Sequence, residues 1–344
     1  MERMDFTLTS ESSPRGANAP VFPPFDERKK PPKGRLAPSP SGRMHLGNVF
    51  CALLAWLFAR SEQGSLLLRM EDLDPQRCRL EYALQLEDDL KWLGLTWDEG
   101  GSISGNPSSY YQSARSGLYE EALRALSQKA PVYPCFCTRA ELHAAQAPHF
   151  ADGRFLYSGR CFSLSERERE SLLKTRKPAL RLHVPPEEIA FTDGLLGPYR
   201  ENLALECGDF ILRRSDGVFA YQLAAAFDDG AMGVTQVVRG RDLLSSTPRQ
   251  LYLLRLWGYP SPQYIHIPLL LSPEGVRLSK RDRALDLGVL RRSHSPEKLI
   301  GLLAQLCGLL PKAEPITPKE LLSEFNPQNI KREDIRLPSS LYGA

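Results

Sequence analysis

The chain has 344 residues, of which 42% are hydrophobic and 25% charged, with a formal net charge of +3. That is the composition of an ordinary globular protein long enough for two or three domains, and the charge is too small to announce a nucleic-acid binder by itself. The longest apolar runs, 51–59 and 299–310, fall short of the roughly 18–20 residues that cross a bilayer, and the first thirty residues lack a basic start followed by an apolar core. A cytoplasmic chain with no membrane segment is expected. The seven cysteines are an odd number scattered through apolar patterns, which fits reduced thiols better than a disulfide framework.

In chain order, residues 1–33 read as a flexible extension dominated by Pro and charge. GRLAPSP (34–40) predicts a short strand entering a loop, and Leu46, Phe50, Leu53, Leu54 and Leu57 follow helical spacing. SLLLRM (65–70) predicts a buried strand, and the run through Leu80, Ala83, Leu84, Leu90 and Leu93 an amphipathic helix. From about 131 to 184 close-set cysteines and the polar helix candidate LSERERESLLKTRK mark an insertion. The alternating pattern resumes with DFILRR, FAYQLAAAFDD, VTQVVRG, PRQLYLLRLWG and YIHIPLLL, and only helical patterns follow the loop SPEGVRLSKRD. Strands alternating with helices imply an α/β fold with a doubly wound parallel sheet. The expected division is an extension (1–33), an α/β domain (34–282) carrying the insertion, and a short helical C-terminal domain (283–344).

Two loops carry the chemistry. In PSPSGRMHLGN (38–48), His45 and Gly47 stand at the mouth of a helix, where unpaired backbone N–H groups and the positive end of the macrodipole favour phosphate. On its own this pattern fits a capped helix with a surface histidine better than a phosphate site. In Arg277-Leu278-Ser279-Lys280-Arg281, a basic loop after a strand can bring a mobile ammonium to a triphosphate, although a solvated surface loop is the plainer reading in isolation. Cys135, Cys137 and Cys161 can supply three thiolate corners of a tetrahedral zinc site; the fourth is open between Tyr157, His143 and His149.

Taken together, PSPSGRMHLGN and RLSKR resemble the HIGH and KMSKS regions of the class I aminoacyl-tRNA synthetases. GRLAPSPSG, RMEDLD and VVRGRDLLSSTPRQ narrow the resemblance to the glutamyl branch. It runs from Gly34 to about Asp282 and implies a Rossmann-type catalytic domain that forms an aminoacyl adenylate. By that resemblance His45, Gly47 and Lys280 contact ATP, with a magnesium ion accompanying the nucleotide, and His45 and Lys280 are the catalytic pair. Arg35, Leu36, Ala37, Pro38, Ser39, Glu71, Tyr221 and Arg239 line the glutamate pocket. The chemistry suits these residue types: planar Arg forks bind carboxylates, Glu71 can pair with an ammonium, and Tyr221 can add a hydroxyl contact.

The spacing C-x-C followed by Y-x3-C is similar to the zinc insertion of the glutamyl-Q tRNA(Asp) synthetases, which implies Tyr157 as fourth ligand of one structural zinc ion. Residues 281–344 are fewer than the roughly 100 that a separate anticodon-binding domain needs, so none is expected. The resemblance then implies glutamate transfer to the queuosine base at the wobble position of tRNA(Asp); a monomer is expected, though no residue pattern carries that expectation. A truncated glutamyl-tRNA synthetase and a catalytically silent paralogue serving as a binding module are the alternatives. Arg277 departs from the lysine of the KMSKS-like loop, keeping the charge but changing the donor geometry.

Overall fold

The computed structural model of the chain describes residues 30–104, 107–138, 141, 156–278 and 285–342. The first unit is strand, helix, strand: β1 (Lys33–Leu36), α1 (Leu46–Ser61) and β2 (Ser65–Leu68), with β1 and β2 parallel. A second helix, α2 (Leu80–Trp92), leads to the two-residue β3 (Glu99–Gly100), parallel to β2. Helix α3 (Ser116–Ser127) precedes β4 (Val132–Cys135).

Helix α1 is apolar nearly all round, and Leu46, Val49, Phe50, Leu53, Leu54 and Leu57 are each at most 1% exposed. Such a helix must be covered on both sides. Here β1 and β2 contribute Leu36, Leu66 and Leu68 to the same core, and the C-terminal segment contributes Leu299, Ile300, Leu303, Ala304 and Cys307. Full burial of each large side chain contributes about 1.5–3 kcal/mol, so α1 is the spine of the molecule.

In the insertion, α4 (Glu166–Leu173) is the polar helix read from the sequence, started by a capping box in which the Ser165 hydroxyl accepts from the Glu168 N–H. Strand β5 (Ala179–Leu182) pairs antiparallel with β4, and β6 (Glu188–Asp193) with β7 (Gly197–Asn202). DFILRR forms β8 (Phe210–Arg213), which pairs antiparallel with β5. This segment therefore does not rejoin the parallel sheet. Its alternation, with Phe210 and Leu212 buried, suits a one-sided antiparallel strand.

Helix α5 (Tyr221–Ala231), β9 (Gln236–Gly240), α6 (Thr247–Trp257) and β10 (Gln263–Ile267) follow, with β9 and β10 parallel. At the head of β9, the Thr235 N–H donates to the Lys33 carbonyl and the Lys33 N–H donates to Thr235 Oγ1, which sets β9 beside β1. Two parallel sheets, β3-β2-β1 and β9-β10, thus lie edge to edge in the order β3, β2, β1, β9, β10, joined at Lys33 and Thr235 rather than by a continuous ladder. Chain order turns in opposite directions from β1 and β9, and a crevice opens beyond their carboxyl ends, the usual ligand site of a doubly wound sheet.

The last segment comprises β11 (Leu270–Leu271), α7 (Leu287–Ser293), α8 (Pro296–Cys307), α9 (Pro318–Ser323) and β12 (Ile335–Arg336). Beyond its helices it returns β12 as a parallel partner to β11, a two-residue strand that no sequence pattern announces.

Candidate active site

The crevice between the ends of β1 and β9 is a cavity of about 460 Å³. Arg35, Leu36, Ala37, Pro38, Ser39, His45, Gly47, Glu71, Tyr221 and Arg239 all line it, so residues far apart in sequence share one wall. Lys280, His143 and His149 lie outside the described residues. Arg277 and Leu278, which begin the basic loop, also line the cavity, Leu278 as a buried side chain. Arg277 Nη1 pairs with Asp242 Oδ2 at 2.7 Å, and Gly275 at φ +85° turns the chain back so that Arg277 bridges Leu271.

His45 caps α1. Its Nδ1 accepts the Gly47 N–H at 3.1 Å, while its own N–H donates to Asn48 Oδ1 at 3.1 Å. With Nδ1 accepting, a neutral imidazole carries its proton on Nε2, a donor suited to a phosphate oxygen. Glycine at 47 leaves room for this geometry.

Arg35 is 7% exposed; its Nη1 donates to the Val238 carbonyl at 2.9 Å and its Nε lies 3.6 Å from Asp229 Oδ1. Behind it, fully buried Arg69 pairs through Nη2 with Asp229 at 2.9 Å and Glu71 at 3.3 Å, while Asp228 is also paired with Arg115 at 2.8 Å. Burial pushes the Glu71 carboxyl up, and Arg69 and Arg35 oppose that rise. Its N–H donates to the Pro38 carbonyl, which fastens the loop after β2 to the loop after β1.

Arg239, 3% exposed, is held by neutral acceptors. Nε donates to His266 Nε2 at 3.1 Å, Nη1 to Gln250 Oε1 at 2.7 Å and Tyr221 Oη at 3.4 Å, and Nη2 to Thr247 Oγ1 at 2.8 Å and the Leu243 carbonyl at 3.3 Å. Among the described residues it has no carboxylate partner within ion-pair distance. A buried guanidinium of this kind is ready to receive an anion, which can replace the two longest bonds. Gln250 and Thr247 belong to the motif VVRGRDLLSSTPRQ, whose role in carrying Arg239 the sequence reading missed. His266 and Asp193 were also missed; the one signal was a histidine inside the apolar strand YIHIPLLL.

A second cluster sits in the insertion. The Sγ atoms of Cys135, Cys137 and Cys161 lie within 4.8 Å of one another, Cys137 and Cys161 at 3.5 Å. Tyr157 Oη is 3.5 Å from Cys135 Sγ and 3.6 Å from Cys137 Sγ, and accepts the Cys161 N–H at 3.0 Å. Ligands around tetrahedral zinc with bonds of about 2.3 Å stand roughly 3.7 Å apart, so this donor set has the right size and softness. Burial raises both thiols, leaving Cys137 at about 11. For Cys135 the Tyr157 hydroxyl and the Arg181 guanidinium overcome burial and hold it below its ordinary value.

The family of class I tRNA synthetases (E and Q), catalytic domain, matches residues 33–330. The glutamyl-Q tRNA(Asp) synthetase of Symbiobacterium thermophilum is 48% identical over 316 residues, 90% of this chain and 97% of that protein. The chain belongs to the glutamyl-Q tRNA(Asp) synthetase family. It is thus an enzyme of the aminoacyl-tRNA synthetase-like ligases. Glutamate--tRNA ligase 2 of Alkalilimnicola ehrlichii is 45% identical over 278 residues, 80% of this chain and 58% of that protein. A crystal structure of a glutamate tRNA ligase from Elizabethkingia meningosepticum in complex with its amino acid superposes with a TM-score of 0.76 at 27% identity, covering 91% of this chain and 68% of that one. The family's catalytic fold is therefore present here, and its parallel sheet is the one expected from the sequence.

Proposed function

We propose that the chain activates L-glutamate with ATP and transfers it to the queuosine base at the wobble position of tRNA(Asp). The observation that carries the activation step is Arg239, a buried guanidinium among neutral acceptors in the same cavity as Arg35, Glu71 and Tyr221. The transfer step rests on membership of the glutamyl-Q family and on likeness to a glutamyl-Q relative along nearly its whole length.

In activation, a glutamate α-carboxylate oxygen bonds to the α-phosphorus of ATP and the bond to pyrophosphate breaks. Positioning and charge stabilisation are the main requirements of such a displacement. Arg35 and Arg239 bind glutamate's two carboxylates, Glu71 takes its ammonium, and Tyr221 contributes a hydroxyl contact beside Arg239. Leu36, Ala37, Pro38 and Ser39 form the pocket wall. His45 and the N–H groups at Gly47 receive the nucleotide phosphates, and Lys280 is assigned to the leaving pyrophosphate. Magnesium supplies charge neutralisation on the phosphates. In transfer, a queuosine hydroxyl oxygen bonds to the activated carbonyl carbon, AMP leaves, and the hydroxyl proton is released.

We assign one structural zinc to Cys135, Cys137, Cys161 and Tyr157. Burial and its hydrogen bonds to the thiols hold the Tyr157 phenol well above its ordinary value. Zinc ligation requires the cation to reverse that preference.

The activation step is tested by ATP–pyrophosphate exchange without tRNA, comparing glutamate with glutamine and aspartate. Exchange that depends on glutamate supports the reading, and its loss in Lys280→Ala with glutamate binding retained supports the assigned lysine. No exchange with any amino acid favours a silent paralogue.

A further inference from the structure

Parallel pairing of β9 with β10 sets Arg239 directly opposite His266, so the two side chains leave the same face of the sheet as neighbours. The contact between Arg239 Nε and His266 Nε2 is 3.1 Å. A guanidinium Nε only donates, so His266 Nε2 must offer a lone pair and the ring proton must sit on Nδ1. That nitrogen lies 2.6 Å from Asp193 Oδ2. One protonation pattern satisfies all three groups: a carboxylate, a neutral Nδ1–H imidazole and a guanidinium.

The surroundings enforce this pattern. Asp193 ends β6 and is fixed by the backbone: its Oδ1 accepts from Leu195 and Leu196 at 3.0 and 2.9 Å, and the His266 N–H also donates to its carboxylate at 3.1 Å. Asp193 is 2% exposed and His266 0%. Burial lowers the imidazole's proton affinity and Arg239 lowers it further, against the opposing pull of Asp193. On the far side Thr247 Oγ1, 3.2 Å from His266 Nε2, also holds Arg239 Nη2.

We propose that Asp193 and His266 are positioning residues that aim Arg239 at a glutamate carboxylate, Asp193 by selecting the imidazole tautomer whose Nε2 accepts from the guanidinium. The proposal rests on the carboxylate-binding reading of Arg239. Neither residue touches substrate in this account. Their effect is to hold the plane of the fork, so that its Nη1 and Nη2 edge faces the cavity.

The decisive variant is Asp193→Asn. It keeps an oxygen for the Leu195 and Leu196 N–H groups but presents an amide N–H to His266 Nδ1, which drives the ring proton to Nε2, against the Arg239 Nε–H. The same logic makes a carboxylate the tautomer selector beside a catalytic histidine. In glutamate-dependent exchange, KM for glutamate should rise about 10- to 100-fold in Asp193→Asn while KM for ATP changes less than about 2-fold. His266→Gln, able to accept from Arg239 and donate to Asp193 at once, should stay within about 3-fold of wild type, whereas His266→Leu should resemble Asp193→Asn.

Nitrogen-15 NMR of the histidine rings adds a readout independent of activity, with a buried Nδ1–H ring in the wild type becoming Nε2–H in Asp193→Asn. An Nε2–H ring in the wild type overturns the proposal. So does an unchanged glutamate KM in Asp193→Asn, or a parallel rise in both KM values, which would mark a merely structural role. Absence of glutamate-dependent exchange in the wild type, or an Arg239→Gln variant with normal glutamate KM, would instead sink the reading of the site itself.

Discussion

The Gly47 N–H donates to His45 Nδ1 at 3.1 Å, and a Cβ on Gly47 would stand 3.0 Å from Cε1 of the same ring. The glycine and the histidine at the mouth of α1 are therefore one device, because a side chain at 47 displaces the imidazole by a few tenths of an ångström. Gly47→Ala should lower exchange activity roughly 10-fold through the nucleotide, since small misplacements of positioning groups are costly. Alanine is favoured in a helix by about 0.5–1 kcal/mol, so thermal stability should hold or rise slightly. Steady-state exchange at varied ATP, alongside thermal unfolding, checks both halves.

Glu71 gives a second prediction, in binding and in pH. Glu71→Gln removes the ammonium partner, and a hydrogen bond between charged groups is worth about 1.5–3 kcal/mol, so KM for glutamate should rise about 10- to 100-fold with KM for ATP little changed. Burial raises the carboxyl of Glu71. It should then take up a proton at a higher pH than an ordinary carboxyl, and glutamate affinity should weaken as pH falls through that region. This pH dependence should be absent from Glu71→Gln when KM is measured across the acid range.

Stability should also fall with acid through the pair behind Arg239. The folded His266 imidazole has a lowered proton affinity, caused first by burial and then, besides the opposing Asp193 bond, by Arg239 and Arg35. The unfolded chain therefore binds more protons at this site below about pH 6.5, so the unfolding free energy declines as pH drops below that value. Asp193 acts in the same direction at lower pH: burial, the largest single influence, raises its carboxyl, but the interaction with His266 and the Leu195 and Leu196 N–H groups together outweigh it and hold the carboxyl below normal. Its contribution is complete above its unfolded value and is lost as pH falls toward its folded one. Thermal unfolding between pH 5 and 8 should show a shallower acid slope for His266→Gln than for wild type.

The sites differed in how far they could be read in the sequence. The glutamate and nucleotide residues fall in motifs shared with the synthetase family, so Arg35, His45, Glu71, Tyr221 and Arg239 could be named through that resemblance, though no local pattern singles them out on its own, and they do line one cavity. Asp193 could not, because its role depends on a β6 hairpin folding back against β10, a contact between residues 73 positions apart. DFILRR misled for a similar reason: its short apolar run fits a parallel or an antiparallel strand, and only pairing with β5 decides. The strand β12 is two residues long and carries no periodicity at all.

The cysteine cluster gives a prediction about metal. The purified protein should contain about one zinc per chain, and Cys161→Ser should lose it. Chelation should lower the thermal midpoint, because the small apolar cluster of Tyr133, Phe136 and Tyr157 is built around the same donors. Metal analysis of wild type and Cys161→Ser settles the stoichiometry; a zinc-free wild type of unchanged stability would contradict the assignment.

The central claim concerns the acceptor. Labelled glutamate should be offered with ATP to two preparations of tRNA(Asp), one carrying queuosine at the wobble position and one carrying guanosine there, and the labelled nuclease fragment should be located. The account predicts label on the queuosine-bearing tRNA alone, within the anticodon fragment. Equal labelling of both, or label at the 3′ terminal adenosine, would contradict it.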